Sequence, residues 1–101
     1  MYIVSPMETT RERAVRIGNR IRAARRRQGM SQRQLAELIA ARAGVEPETA
    51  RRSLINNETG KFAPRLRTLE VISEVTCQPL EFFVGAPEVE SEPDRFQDEA
   101  A

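Results

Sequence analysis

The stretch ARRRQGMSQRQLAEL, residues 24 to 38, sets three consecutive arginines, Arg25 to Arg27, ahead of a Gly, a Ser-Gln pair, a further arginine and an apolar run. Gly29 suits the position just past a helix end, where a missing Cβ permits left-handed backbone, and Ser31 is a natural N-cap. The stretch is therefore a junction between two helices, and the same punctuation recurs on either side of it. Upstream, Thr9 or Thr10 offers an N-cap and Glu12 falls in the first turn; Val15, Ile17, Ile21 and Ala24 then form one apolar side of a first helix whose other positions are nearly all Arg. Downstream, Leu35, Ala36, Leu38, Ile39 and Ala43 supply the buried side of a second helix that Gly44 stops. Pro47 fits a first-turn position and Glu48 favours the positive end of a third helix, anchored by Leu54 and Ile55 and closed near Gly60. Leu66, Leu69, Ile72 and Val75 step at three-residue intervals into a fourth helix, and Pro79 opens a short fifth through Leu80, Phe82 and Phe83. The pattern predicts an all-α domain over residues 11–84 with one core. Residues 1–10 read as a flexible arm and residues 85–101, ending APEVESEPDRFQDEAA, as an acidic, disordered tail.

The 101 residues suffice for one modest core, and a 40% hydrophobic content with 5% aromatic fits a helical interior of Leu, Ile, Val and Ala. The net charge of +1 conceals a division along the chain. Residues 1–67 hold fifteen of the sixteen basic residues and six of the fifteen acidic ones, a balance of +9, while residues 68–101 carry −8. Such asymmetry marks a polyanion-binding face joined to an acidic tail. Fifteen of the basic residues are Arg, which a GC-rich genome also produces, so the clustering carries the argument and the choice of Arg does not.

Catalytic readings fall away for want of chemistry. Without His, neither Ser-His-Asp nor Cys-His arrangements can form, and one Cys with carboxylates makes no zinc site. The five glycines are isolated, so there is no phosphate-cradling loop. The expectation is a protein that is not an enzyme and uses no metal or cofactor. The lone Cys77 cannot form an internal disulfide and reads as a small buried or half-buried residue, and the N-terminus lacks the features of a signal peptide. The expected location is cytoplasmic, on the nucleoid, with no membrane partner.

Three pieces in order, IGNRIRAARRRQGMSQRQLAEL at 17–38, ETGKFAPRLRTLEVI at 58–72 and QPLEFF at 78–83, resemble the helix-turn-helix domain of the phage Cro and lambda-type repressor family of bacterial regulators. The resemblance covers roughly residues 11–84. It implies a five-helix lambda-repressor-like domain in which the second helix crosses the DNA backbone and the third enters the major groove. Leu35 to Gly44 exceeds the usual family spacing by about one helical turn, ~4 residues, and Gly44 to Glu58 by a similar amount. An extended helix 2/helix 3 region follows, which leaves the start of the third helix open and makes Glu46, Glu48 and Thr49 candidates to stand nearer the groove. Asn57 stands where the family prefers an apolar residue.

Ser31 caps the second helix and leaves Gln32 facing outward at a positive helix end, so Ser31, Gln32, Arg33 and Lys61, with Arg65 and Arg67, are the expected phosphate contacts. Counting back from Glu58 puts Arg51, Arg52, Ser53 and Asn56 outward and Leu54 inward. Arg reads guanine and Asn reads adenine bidentately, which suits these four to base reading, although Arg51 and Arg52 alone would equally read as a solvated face. The family commonly pairs an Arg at the end of the first helix with the Glu at the end of the third; the matching positions, Arg25 and Glu58, are assigned a structural ion pair.

Leu80, Phe82 and Phe83 are expected to form a homodimer interface, since two recognition helices must meet grooves about one DNA turn, ~34 Å, apart; the plainer reading closes the monomer core with them. The tail is open to three readings, as a solubilising segment, as a segment that folds back on the basic face, or as a dock for another protein. The leading expectation is a sequence-specific transcription regulator, more a repressor than an activator, bound to double-stranded DNA at a palindromic operator. Its rivals are an antitoxin-type interaction protein with autoregulatory DNA binding, and a nucleoid-type binder of low specificity that would rely on the Arg-rich first helix.

Overall fold

The computed structural model of the protein describes residues 8–85, which form five α-helices and no strand. They are α1 (Thr10–Arg27), α2 (Gln32–Ala43), α3 (Pro47–Thr59), α4 (Leu66–Thr76) and α5 (Leu80–Val84). The all-α expectation holds for them. Residues 1–7 of the expected arm and 86–101 of the expected tail lie outside the described residues.

Local chemistry sets the helix ends. Thr9 Oγ1 accepts from the Glu12 N–H at 3.0 Å while the Glu12 carboxylate accepts from the Thr9 N–H at 2.9 Å. Ser31 and Gln34 repeat the arrangement at 3.1 and 2.8 Å, so α1 and α2 each begin with a reciprocal capping box. The residues between Leu35 and Glu58 go into the helices and leave their connection short. α2 runs for 12 residues and α3 for 13, joined only by Gly44, Val45 and Glu46. Gly44, at φ 73°, turns the chain out of α2, and Glu46 is the N-cap before Pro47 at the start of α3. The start of α3 is thus fixed at Pro47, ahead of Glu48 and Thr49.

The core takes Ile17, Ile21 and Ala24 from α1, Leu35, Ala36, Ile39 and Ala40 from α2, Ala50 and Leu54 from α3, Leu69 and Ile72 from α4, and Phe83 from α5. Three expected core positions are exposed instead. Leu38 is 41% exposed because the α2 stripe through 35, 36, 39 and 40 leaves residue 38 beyond its edge. Leu66 is 61% exposed, since α4 begins there before it reaches the core. Val15, also exposed, packs along Gly60, where an added Cβ would lie 2.6 Å from Val15 Cγ2. Cys77 is exposed rather than buried, and as the C-cap of α4 it takes the left-handed conformation at φ 60°.

The arginines of α1 do not all face solvent. Arg16, Arg20 and Arg25 are buried. Arg16 binds Glu8 through Nε at 2.7 Å and Nη2 at 3.0 Å, and its Nη1 donates to the Gly85 carbonyl. Arg20 donates to the Phe82 carbonyl, and the Arg20 and Arg27 guanidiniums lie over the Phe82 ring at 5.6 and 5.5 Å. Their stems cover apolar surface while the heads take carbonyls and a ring, which ties α5 onto α1.

Gly18 is where α1 and α3 meet backbone to backbone. A Cβ there would stand 2.3 Å from the Asn57 carbonyl oxygen and 2.8 Å from that of Glu58. In an open helix Gly→Ala gains about 1 kcal/mol. Here the overlap reverses the sign, and Gly18→Ala should destabilise by ~1–3 kcal/mol, read as a lower Tm by circular dichroism. A second prediction concerns acid. The hydrogen bond from Arg16 holds the Glu8 carboxyl below its ordinary value of 4.5, with the charges of Arg16 and Arg13 adding to the effect. A depressed carboxylate contributes stability that is complete above its unfolded value and is lost as pH falls through the folded one. Urea unfolding should find Glu8→Gln less stable than the parent at pH 7 and level with it well below pH 4.5.

Candidate nucleic-acid interface

Glu58, in the last turn of α3, has no side-chain exposure and gathers three helices. Arg25 of α1 grips it bidentately, Nε to Oε2 at 2.7 Å and Nη2 to Oε1 at 3.1 Å, with the arginine side chain itself 11% exposed. Gln32, the first residue of α2, donates Nε2 to the same Oε1 at 3.0 Å. Arg22 stands at 3.8 Å from Oε1 and donates to the Glu58 carbonyl oxygen at 3.2 Å. Arg25 Nη1 also donates to the Met30 carbonyl at 2.9 Å, which steadies the α1–α2 turn. The expected pair therefore exists, buried rather than solvated, and it fixes the start of α2 against the end of α3.

That geometry revises Gln32. It was expected to face outward to a phosphate, yet it is half-buried and spends one amide hydrogen on Glu58, leaving its second N–H and its carbonyl oxygen for other partners. Ser31 is exposed, with Oγ engaged as the cap, and Arg33 is exposed beside it. Lys61, Arg65 and Arg67 are exposed after α3 and at the start of α4.

Along α3, Arg52 and Ser53 are exposed, Arg51 and Asn56 are half-buried and Leu54 is buried, so the register counted back from Glu58 is right for Leu54, Arg52 and Ser53. Arg51 sits partly inside, with Nε out of solvent and without a hydrogen-bond partner. Of the four expected base readers, Thr49-side neighbours Ser53 and Asn56 share a cleft wall, and Arg52 stands on the adjoining exposed side. Asn57 is buried and donates Nδ2 to the Phe62 carbonyl at 3.0 Å, which holds the loop that presents Lys61. Among the described residues Arg33, Arg52, Lys61, Arg65 and Arg67 make no ion pair, whereas Arg13, Arg16, Arg22, Arg25 and Arg42 each meet a carboxylate within 4 Å. Five cations without a carboxylate partner thus surround the start of α2, the outer side of α3 and the start of α4.

The expected dimer residues divide. Phe83 is fully buried in the core of one chain, so it offers no surface to a partner; Phe82 lies edge-on to it at 5.2 Å beneath Arg20 and Arg27, and Leu80 is half-buried. The exposed apolar residue of α5 is Val84, which the sequence reading left out of the interface. Among the described residues no cluster of His, Cys, Asp or Glu could hold a metal ion, and no helix is long and apolar enough to cross a membrane. No protein-family model, curated protein or solved structure matches the chain.

Sequence reasoning missed the α1 ties and the share of Gln32 and Arg22 in the Glu58 site. A signal for Gly18 was present, because glycine inside a helix of good formers costs about 1 kcal/mol and implies a close approach. Breaking the buried pair leaves one charge uncompensated, at a cost of ~3–5 kcal/mol. Arg25→Met and Glu58→Met should each lose that much in chemical denaturation, while the double variant should recover a large part of it.

Proposed function

We infer that the chain is a sequence-specific transcription regulator of the helix-turn-helix kind, a repressor that binds a palindromic operator as a dimer. The observation that carries the reading is the outer side of α3, where Arg52, Ser53 and Asn56 stand together, flanked by four further cations without carboxylate partners, Arg33, Lys61, Arg65 and Arg67. Arg52 and Asn56 have the donor patterns that discriminate bases, and the surrounding cations suit phosphates on either side of a groove. The three-residue connection between α2 and α3 supports the same reading, since it keeps the two helices in one unit held by Glu58.

A binder of low specificity resting on the first helix is less favoured. Arg16, Arg20, Arg22 and Arg25 are occupied within the fold, which leaves fewer α1 cations for phosphates than the sequence offers. The dimer belongs to the same proposal, with Val84 and the outward parts of Leu80 and Phe82 as its contact.

The deciding experiment titrates the protein against a labelled duplex from upstream of its own gene, at two salt concentrations and with unrelated competitor DNA. Retention of the upstream duplex over competitor is expected. Arg52→Ala should cost that duplex ~1–3 kcal/mol and relax the preference, whereas Arg65→Ala should weaken both DNAs alike and reduce the salt slope by about 1. Equal loss to both DNAs by the parent protein would overturn the specific regulator.

A further inference from the structure

A cleft of about 360 Å³ opens between α2, α3 and the start of α4, with buried Ile39 and Leu54 inside and Ser53, Asn56, Phe62 and Arg65 around its mouth. This lies within the ~300–1,000 Å³ range of sites that enclose a ligand or an anchoring side chain. Phe62 is 58% exposed, an unusual state for so large an apolar ring, and Lys61 lies over its face at 5.7 Å. An apolar cleft with a cationic mouth fits a peptide that combines carboxylates with an aromatic anchor. Residues 86–101 have that composition, with Glu88, Glu90, Glu92 and Asp94 preceding Phe96, and six acids in all against Arg95.

The place where that segment leaves the fold suits it to the cleft. The Gly85 carbonyl is held by Arg16, the next residue to Val15, and Val15 packs on Gly60, which leads directly into Lys61 and Phe62. The eleven residues 86–96 reach up to ~36–40 Å when extended, further than the ~27 Å length of the 18-residue α1. We propose that the cleft is a docking site for the chain's own acidic segment, with Phe96 entering beside Phe62 and the carboxylates against Lys61, Arg65 and Arg52. The tether supplies a high local concentration, so the contact needs little intrinsic affinity. Docked, the segment covers Ser53 and Asn56 and must leave before α3 meets a polyanion. The docking itself requires only the cleft and its cations and does not rest on the DNA reading.

The test uses the full chain with a nitroxide at Ser91→Cys, after Cys77→Asn, a residue suited to left-handed backbone, removes the native thiol. Amide signals of Thr49, Ser53, Phe62 and Thr68 should lose most of their intensity to the spin label while those of Gln28 and Thr76 keep theirs. Phe96→Ala, and separately Lys61→Glu with Arg65→Glu, should restore the lost signals severalfold with the remaining spectrum unchanged. Unaffected cleft amides, uniform attenuation, or insensitivity to these variants would overturn the proposal. So would attenuation that appears only between labelled and isotope-enriched copies, which would assign the contact to a second chain or partner. None of these readouts uses DNA, so a failure here and a failure of the operator titration are separate results.

Discussion

The carboxylate of Glu58 is the constraint on which the arrangement of α1, α2 and α3 depends. A buried carboxylate is tolerated only with its lone pairs occupied, and here the Arg25 fork and the Gln32 amide occupy them from two other helices. The result is directional. A hydrophobic contact would let α1 slide along α3, but the planar Arg25 fork on the planar Glu58 carboxylate fixes both distance and angle, and the Gln32 hydrogen bond brings the start of α2 to the same group. The outward side of α3 and the outward end of α2 consequently share one rigid frame, even though the residues that make up the candidate interface do not bond to one another.

Charge is distributed in the same economical way. The basic segment of the sequence divides into arginines that serve the interior and cations that remain outside. Arg16, Arg20 and Arg25 use the long apolar stem to fill space and the head to bind carbonyls, a ring or a carboxylate. Arg33, Arg52, Lys61, Arg65 and Arg67 keep their heads in water. The formal balance of +9 over residues 1–67 therefore overstates the charge available to a ligand, while the local concentration of cations around α3 is higher than the whole-chain value of +1 suggests.

Much of the fold was legible because its signals are local. Ser31 and Thr9 as caps, Gly29 and Gly44 as stops and Pro47 as an opening residue all act within one or two turns, and each is found where its chemistry puts it. The inward placement of Leu54 was likewise a matter of helical register. What remained hidden depends on packing between elements far apart in sequence. No local pattern tells Arg16 from Arg13, yet one meets Gly85 and the other an exposed edge. Gln32 has the same composition facing water as facing Glu58, and Leu38 and Leu66 look like core until the partner surfaces are known to miss them. The site residues were legible as chemistry and only partly as geometry, with Arg51 and Asn56 half withdrawn from the face that Arg52 and Ser53 occupy.

The double grip of Arg16 closes the helical bundle between two places far apart in sequence. One guanidinium holds both Glu8 and the carbonyl of Gly85, so the residue just ahead of α1 and the residue just past α5 are clasped by a single side chain. Such a clasp works as a noncovalent staple: it holds α1 and α5 in one closed ring of contacts, so fraying at either of these helix ends must first release the same guanidinium.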